Sequence, residues 1–142
     1  MGVDTRVLGY LGRALSLEFS AVQLYSTQAK LVEVWGLKEV AEKFSNESRE
    51  EMAHAERIIG RMLALGVAPN ASQLRPVKLG QNLQQLLQNN HEFEHELITL
   101  YSEASAHCQR NGDNENRVFF EALLAEERAH ADEWSQWLQE LG

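Results

Sequence analysis

Residues 44–58 read FSNESREEMAHAERI, and residues 120–134 read FEALLAEERAHADEW. Each stretch holds a Glu-x-x-His, at Glu51 and His54 in the first and at Glu127 and His130 in the second. Three residues make nearly one helical turn, so each pair projects from one side of a helix. The surrounding apolar residues recur in steps of three and four, the mark of a helix with a core-facing stripe. One stripe runs Leu37, Val40, Phe44, Glu47, Glu51, His54, Ile58; the other runs Phe120, Leu123, Glu127, His130, Trp134, Trp137, Leu141. The ionisable residues therefore fall on the positions that should pack the core.

The same pattern extends to two further helices. Asp4 can cap a helix running to about Trp35, where Gly36 breaks it. The second helix spans roughly Leu37 to Leu65, the third Gln81 to Arg110, and the fourth Asp113 to Leu141. The stripe of the first helix reads Leu8, Leu11, Leu15, Glu18, Val22, Tyr25, Ala29, and that of the third Leu83, Leu87, Asn90, Glu94, Leu97, Tyr101, Ala104, Cys108. Every stripe is apolar at its ends and carries glutamate near its middle. Short connections at Gly36 and Gly112 force antiparallel neighbours. The stretch from Gly66 to Gly80, with Pro69 and Pro76, lacks helical periodicity, and its roughly 14 residues at ~3.3 Å each can cross the full length of a bundle. The sequence thus predicts an all-α, antiparallel four-helix bundle with one long crossover between helices 2 and 3, forming a single domain over 1–142.

The two helix pairs repeat. Glu18 and Glu94 differ by 94 − 18 = 76, and the same offset relates Glu51 to Glu127, His54 to His130, Tyr25 to Tyr101 and Phe44 to Phe120. Such a repeat implies an approximate internal two-fold axis. All four glutamates lie 13 or 14 positions past the predicted helix starts. Whichever way each helix runs, the carboxylates meet at one level.

Four ionised carboxylates cannot share an apolar interior without compensation. Two divalent cations bring +4 against their −4, and two neutral imidazoles complete the coordination. One Glu from each of two helices, with Glu-x-x-His from the other two, is the ligand set of carboxylate-bridged di-iron and di-manganese bundles. Mixed oxygen and imidazole ligation suits iron or manganese, and zinc also binds such a set. Iron fits a redox role, because two adjacent ferrous ions can each give one electron to dioxygen or peroxide and so avoid releasing superoxide. Tyr25, two turns beyond Glu18, is either a further electron donor or a core aromatic. Glu47 is either partly solvated or accessory to the site; its counterpart at the same offset is Leu123.

Composition narrows the function classes. The net charge of −8 disfavours nucleic-acid and acidic-membrane partners and attracts cations. The single cysteine, Cys108, excludes a disulfide framework and a four-cysteine metal site. No secretory signal or membrane-spanning run is visible, and Arg6 stands where an acylation signal beginning at Gly2 needs Ser or Thr. A cytoplasmic protein is the expectation.

On Glu18, Tyr25, the segment Glu51-Met52-Ala53-His54-Ala55-Glu56-Arg57, Glu94, and Glu127 with His130, the chain resembles the bacterioferritins, the haem-containing branch of the ferritins. The resemblance implies a ferroxidase that oxidises ferrous iron with O2 or H2O2 and stores the ferric product in a hollow homo-oligomeric shell. Glu18 and Glu94 match terminal ligands, Glu51 and Glu127 bridging ones, and His54 and His130 the imidazole ligands of two irons per subunit. Met52 matches the haem ligand contributed by each subunit of a homodimer; a ferredoxin-type reductant is an implied partner. About 100° round the helix from Glu51, Met52 should face outward. The small residues Ser45, Ser48 and Ala55 on its stripe would leave room for a porphyrin, although a methionine in a plain dimer contact fits the same position. The family's short fifth helix would follow Gly142, so the likeness is to a form lacking it, with a dimer or smaller shell as alternatives to 24 subunits. Where the family often has His and Asp on the inner surface of helix 2, this chain has Asn46 and Glu50. Two other functional readings fit the same bundle: a haem-bridged electron-transfer protein, and a di-metal peroxidase or catalase.

Overall fold

The computed structural model describes residues 4–69 and 73–141, and every regular element among them is an α-helix. α1 spans Thr5–Val34, α2 Lys38–Ala64, α3 Leu83–Arg110 and α4 Asn114–Leu141. At ~1.5 Å per residue each helix is roughly 40–45 Å long. No helix among the described residues is long and apolar enough to cross a membrane.

The predicted helix ends form for identifiable reasons. Asp4 caps α1: its carboxylate accepts the Arg6 N–H at 2.8 Å, and its carbonyl accepts the first helical bond from Leu8. Asp113 does the same for α4, accepting the Asn116 N–H at 3.2 Å and binding the Asn116 amide at 2.7 Å. Gly36, Gly66 and Gly112 take positive φ, at 85°, 78° and 67°. Each closes its helix with a pair of reverse bonds: Gly36 to Glu33 and Leu37 to Val32, Gly66 to Leu63 and Val67 to Met62, Gly112 to Gln109 and Asp113 to Cys108. The repeat carries through to these ends, since Gly36 and Gly112, and the first residues of α2 and α4, are also 76 apart (112 − 36 and 114 − 38). α3 begins two residues later than predicted, at Leu83.

The chain divides into two compact units, Leu11–Leu83 and Met1–Tyr10 with Gln84–Gly142. In the first, α1 and α2 pack antiparallel. Ser26 and Ser48 share a 2.7 Å hydrogen bond between their hydroxyls, Ser48 also reaches the Val22 carbonyl at 3.1 Å, and Glu18 meets His54. The crossover, residues 65–82, touches down on α1 where the Arg75 N–H donates to the Ser20 hydroxyl. In the second unit α3 and α4 pair antiparallel, with Tyr101 against Phe120 and Glu94 beside His130. The start of α1 joins them through Tyr10, whose ring packs on His107 and Phe120.

The stripes are buried along their middles: Leu11, Leu15, Phe44, Ile58, Leu87, Leu97, Phe120 and Leu123 are inaccessible. Removing one such side chain, as in Phe44→Ala, should cost about 3–5 kcal/mol. Two predicted stripe ends depart from the pattern. Leu37 and Leu141 are exposed, because each lies at a helix terminus with no further turn above it to cover it.

Candidate metal centre

The first unit holds a buried triad. Glu18 comes from the middle of α1, and Glu51 with His54 from the middle of α2; both carboxylates are wholly inaccessible and the imidazole nearly so. The His54 Nδ1 lies 3.1 Å from Glu18 Oε2 and 3.2 Å from Glu51 Oε1. A ligand atom from each of the three lies within 4.8 Å of the other two. One ring nitrogen is thus aimed at two carboxylates supplied by different helices.

The second unit repeats the arrangement. Glu94 on α3 and Glu127 on α4 are wholly inaccessible, and His130 is 7% exposed. Here Nδ1 of His130 stands 3.8 Å from Glu94 Oε1 and 3.5 Å from Glu127 Oε2, a looser version of the first triad. Its ligand atoms also fall within 4.8 Å of one another.

Within each triad the charges do not balance. Two carboxylates carry −2, and a protonated imidazole returns only +1. A divalent cation in place of the proton neutralises the triad and satisfies the inward-facing oxygens and nitrogen together. Oxygen and imidazole donors in this proportion suit iron, manganese or zinc. The donor chemistry of the residues present therefore fits a cation in each triad.

Tyr25 is completely buried on α1, two turns beyond Glu18. Its repeat partner Tyr101 is equally buried. Met52 faces outward as expected, 37% exposed on α2. Of the small residues on its stripe, Ser45 is half-buried and Ser48 and Ala55 are buried, with the Ser48 hydroxyl bonded to α1 at Ser26 and Val22. At Ser48 the small side chain allows close approach of α1. Glu47 is half-buried, while Asn46 and Glu50 are exposed.

One polar pair in the second unit has no signature in the sequence. His107, buried on α3, bonds through Nε2 to the Asp4 carboxylate at 2.7 Å. Together with the Arg6 N–H, this bond holds the Asp4 carboxyl below its ordinary range. Asp4 thus acts twice, as helix cap and as anchor of the chain's start to α3. The two residues lie 103 positions apart, and helical periodicity carries no signal of that contact.

Comparison with known proteins shows which family the chain resembles. A family model described as the ferritin-like domain matches residues 8–142. A bacterioferritin of Rhodobacter capsulatus is 37% identical over 129 residues, covering 91% of this chain and 80% of that protein. A bacterioferritin of Brucella melitensis is 33% identical over the same shares, and a bacterial ferritin of Synechocystis is 31% identical over 94% and 83%. The solved Rhodobacter capsulatus bacterioferritin, described with a metal-free dinuclear site and haem iron in a crystallographic special position, matches with a TM-score of 0.93. That match has 35% identity and covers 98% of this chain and 87% of that one.

Proposed function

This chain belongs to the bacterioferritins, within the ferritin-like domain family, and has their four-helix-bundle fold; from that premise we propose how its residues carry out iron oxidation and storage. The two triads jointly hold two iron ions. Glu18 and Glu94 are terminal ligands, Glu51 and Glu127 bridge, and His54 and His130 each ligate one ion. The observation that carries this reading is the repetition of one buried triad, residue for residue, at an offset of 76.

Ferrous iron is substrate at this centre, and the bound pair supplies two electrons together to O2 or H2O2. The protein's own contribution is positional. Burial excludes bulk water, the four carboxylates offset the cation charge, and each imidazole presents a neutral nitrogen. The rigid middles of helices hold these ligands more firmly than loops would. Tyr25 stands as an additional electron donor, so Tyr25→Phe should leave the number of irons bound unchanged and abolish any tyrosyl radical signal after oxidation. An unchanged radical signal would return Tyr25 to a packing role.

Met52 is assigned as a haem ligand shared between the two subunits of a homodimer within a larger shell. Its outward exposure and the haem iron of the bacterioferritin neighbour support this. We place the protein in the cytoplasm as one ferritin-like domain, with a ferredoxin-type protein as reductant for iron release.

The test is anaerobic addition of ferrous iron to metal-free protein, followed by oxidant, monitored by absorbance. A fast phase should saturate at two irons per chain and vanish in Glu127→Ala. Oxidation no faster than in buffer alone would overturn the assignment.

A further inference from the structure

Three of the chain's five histidines, His54, His107 and His130, are buried. The remaining two, His91 and His95, lie four positions apart on α3, the first half-buried and the second exposed. Their rings meet edge to face, with centres 4.6 Å apart and planes at 79°. Every histidine outside the core is thus paired with the other on successive turns of one helix.

We propose that His91 and His95 form a second, peripheral transition-metal site that chelates one dication through both imidazoles. The ring spacing is the first support. A metal ~2.0–2.1 Å from a coordinating nitrogen lies about 3.2 Å from that ring's centre, so ring centres around one cation stand about 4.5 Å apart at a right angle and about 5.2 Å apart at the tetrahedral angle. The observed 4.6 Å matches the right angle. Cis ligation at that angle belongs to octahedral and tetragonal cations, which favours Ni2+ and Cu2+, with Cu2+ the tightest. Water fills the remaining positions.

Direction is the second support. At 100° per residue the pair centres about 80° round α3 from Glu94, so it belongs to a different face from that ligand. Rotation about χ2 aims either imidazole nitrogen outward without moving the backbone. Glu92, exposed one turn before His95, adds negative charge beside the pair and strengthens its attraction for a cation. An imidazole pair also discriminates against Ca2+ and Mg2+, which require oxygen donors. The inference does not depend on the assignment of the two buried triads.

The decisive experiment is chromatography of the metal-free protein on immobilised Cu2+ at pH 7.5, with a parallel Ni2+ titration in solution. A cation tethered to a matrix reaches surface imidazoles and not the buried triads, so retention isolates this site. The wild-type chain should be retained and released by imidazole, and Glu127→Ala should behave identically. His91→Gln and His95→Gln, on positions where glutamine is a good helix former, should each elute early and bind Ni2+ about 100-fold more weakly. The double variant should bind one Ni2+ fewer per chain than the wild type. Retention of the double variant like wild type, wild-type behaviour in either single variant, or no retention of the wild-type chain would each overturn the proposal.

Discussion

Replacing Glu18 by glutamine should reverse the order of stability between metal-free and metal-loaded protein. The ligand atoms of Glu18 and Glu51 lie within 4.8 Å of each other, inaccessible to water. Two ionised carboxylates at that separation repel by about 3.5 kcal/mol at an effective dielectric of about 20. Glutamine keeps the volume and an oxygen for the 3.1 Å contact to His54, and removes one of the charges. Allowing for a weaker bond to the imidazole, metal-free Glu18→Gln should be about 1–3 kcal/mol more stable than wild type. For a chain of this length that raises the melting temperature by roughly 2–12 °C. With metal the order inverts. Wild type gains about 4.1 kcal/mol from a cation at 1,000 times its dissociation constant, more than the variant's lead, and the variant, short of a charged ligand, gains little. Thermal melts with chelator and with Zn2+, followed by circular dichroism, measure both arms. If Glu18→Gln is the less stable protein in chelator, or if Zn2+ leaves wild type unchanged, the triad is a structural network and the metal argument fails.

Three further outcomes follow from single residues. Met52→Leu should lose haem, read as loss of the Soret band after reconstitution, while ferrous oxidation proceeds at the wild-type rate. Asp4 has a carboxyl lowered from 3.8 by the bond from His107 and then the Arg6 N–H, so its stabilisation is complete above that ordinary value and fades as pH falls through the lowered one. Asp4→Asn should therefore melt earlier at neutral pH and lose part of the wild-type stability change below about pH 4, measured by melts across pH 2–7. Gly112→Ala forces a side chain into a backbone with φ of 67°, and should cost about 1–2 kcal/mol in urea denaturation.

The sequence exposed the helices because each carries its own punctuation. Asp4, Gly36, Gly66, Asp113 and Gly112 act through backbone geometry within a few residues, and the structure uses each of them. Six core-facing polar residues were legible for a related reason: helical periodicity assigns a face, and a carboxylate on that face demands a counter-charge. Contacts between distant segments were hidden. Nothing in the local pattern ties His107 to Asp4, or brings Arg75 of the crossover onto Ser20. The stripe beside Met52 shows a subtler limit. Small residues signal close approach, but the sequence does not say whether a cofactor or a helix approaches; at Ser48 it is α1. Gln28, fully buried one turn beyond Tyr25, shows that the interior face of α1 is wider than the apolar stripe alone implies.

Anomalous diffraction at the iron edge, from crystals soaked anaerobically in ferrous iron, locates the bound metal outright. Two peaks per chain are expected about 3.5–4 Å apart, one bound by Glu18 and His54, the other by Glu94 and His130, with Glu51 and Glu127 contacting both. A single peak, or iron bound only away from these six residues, would contradict the assignment.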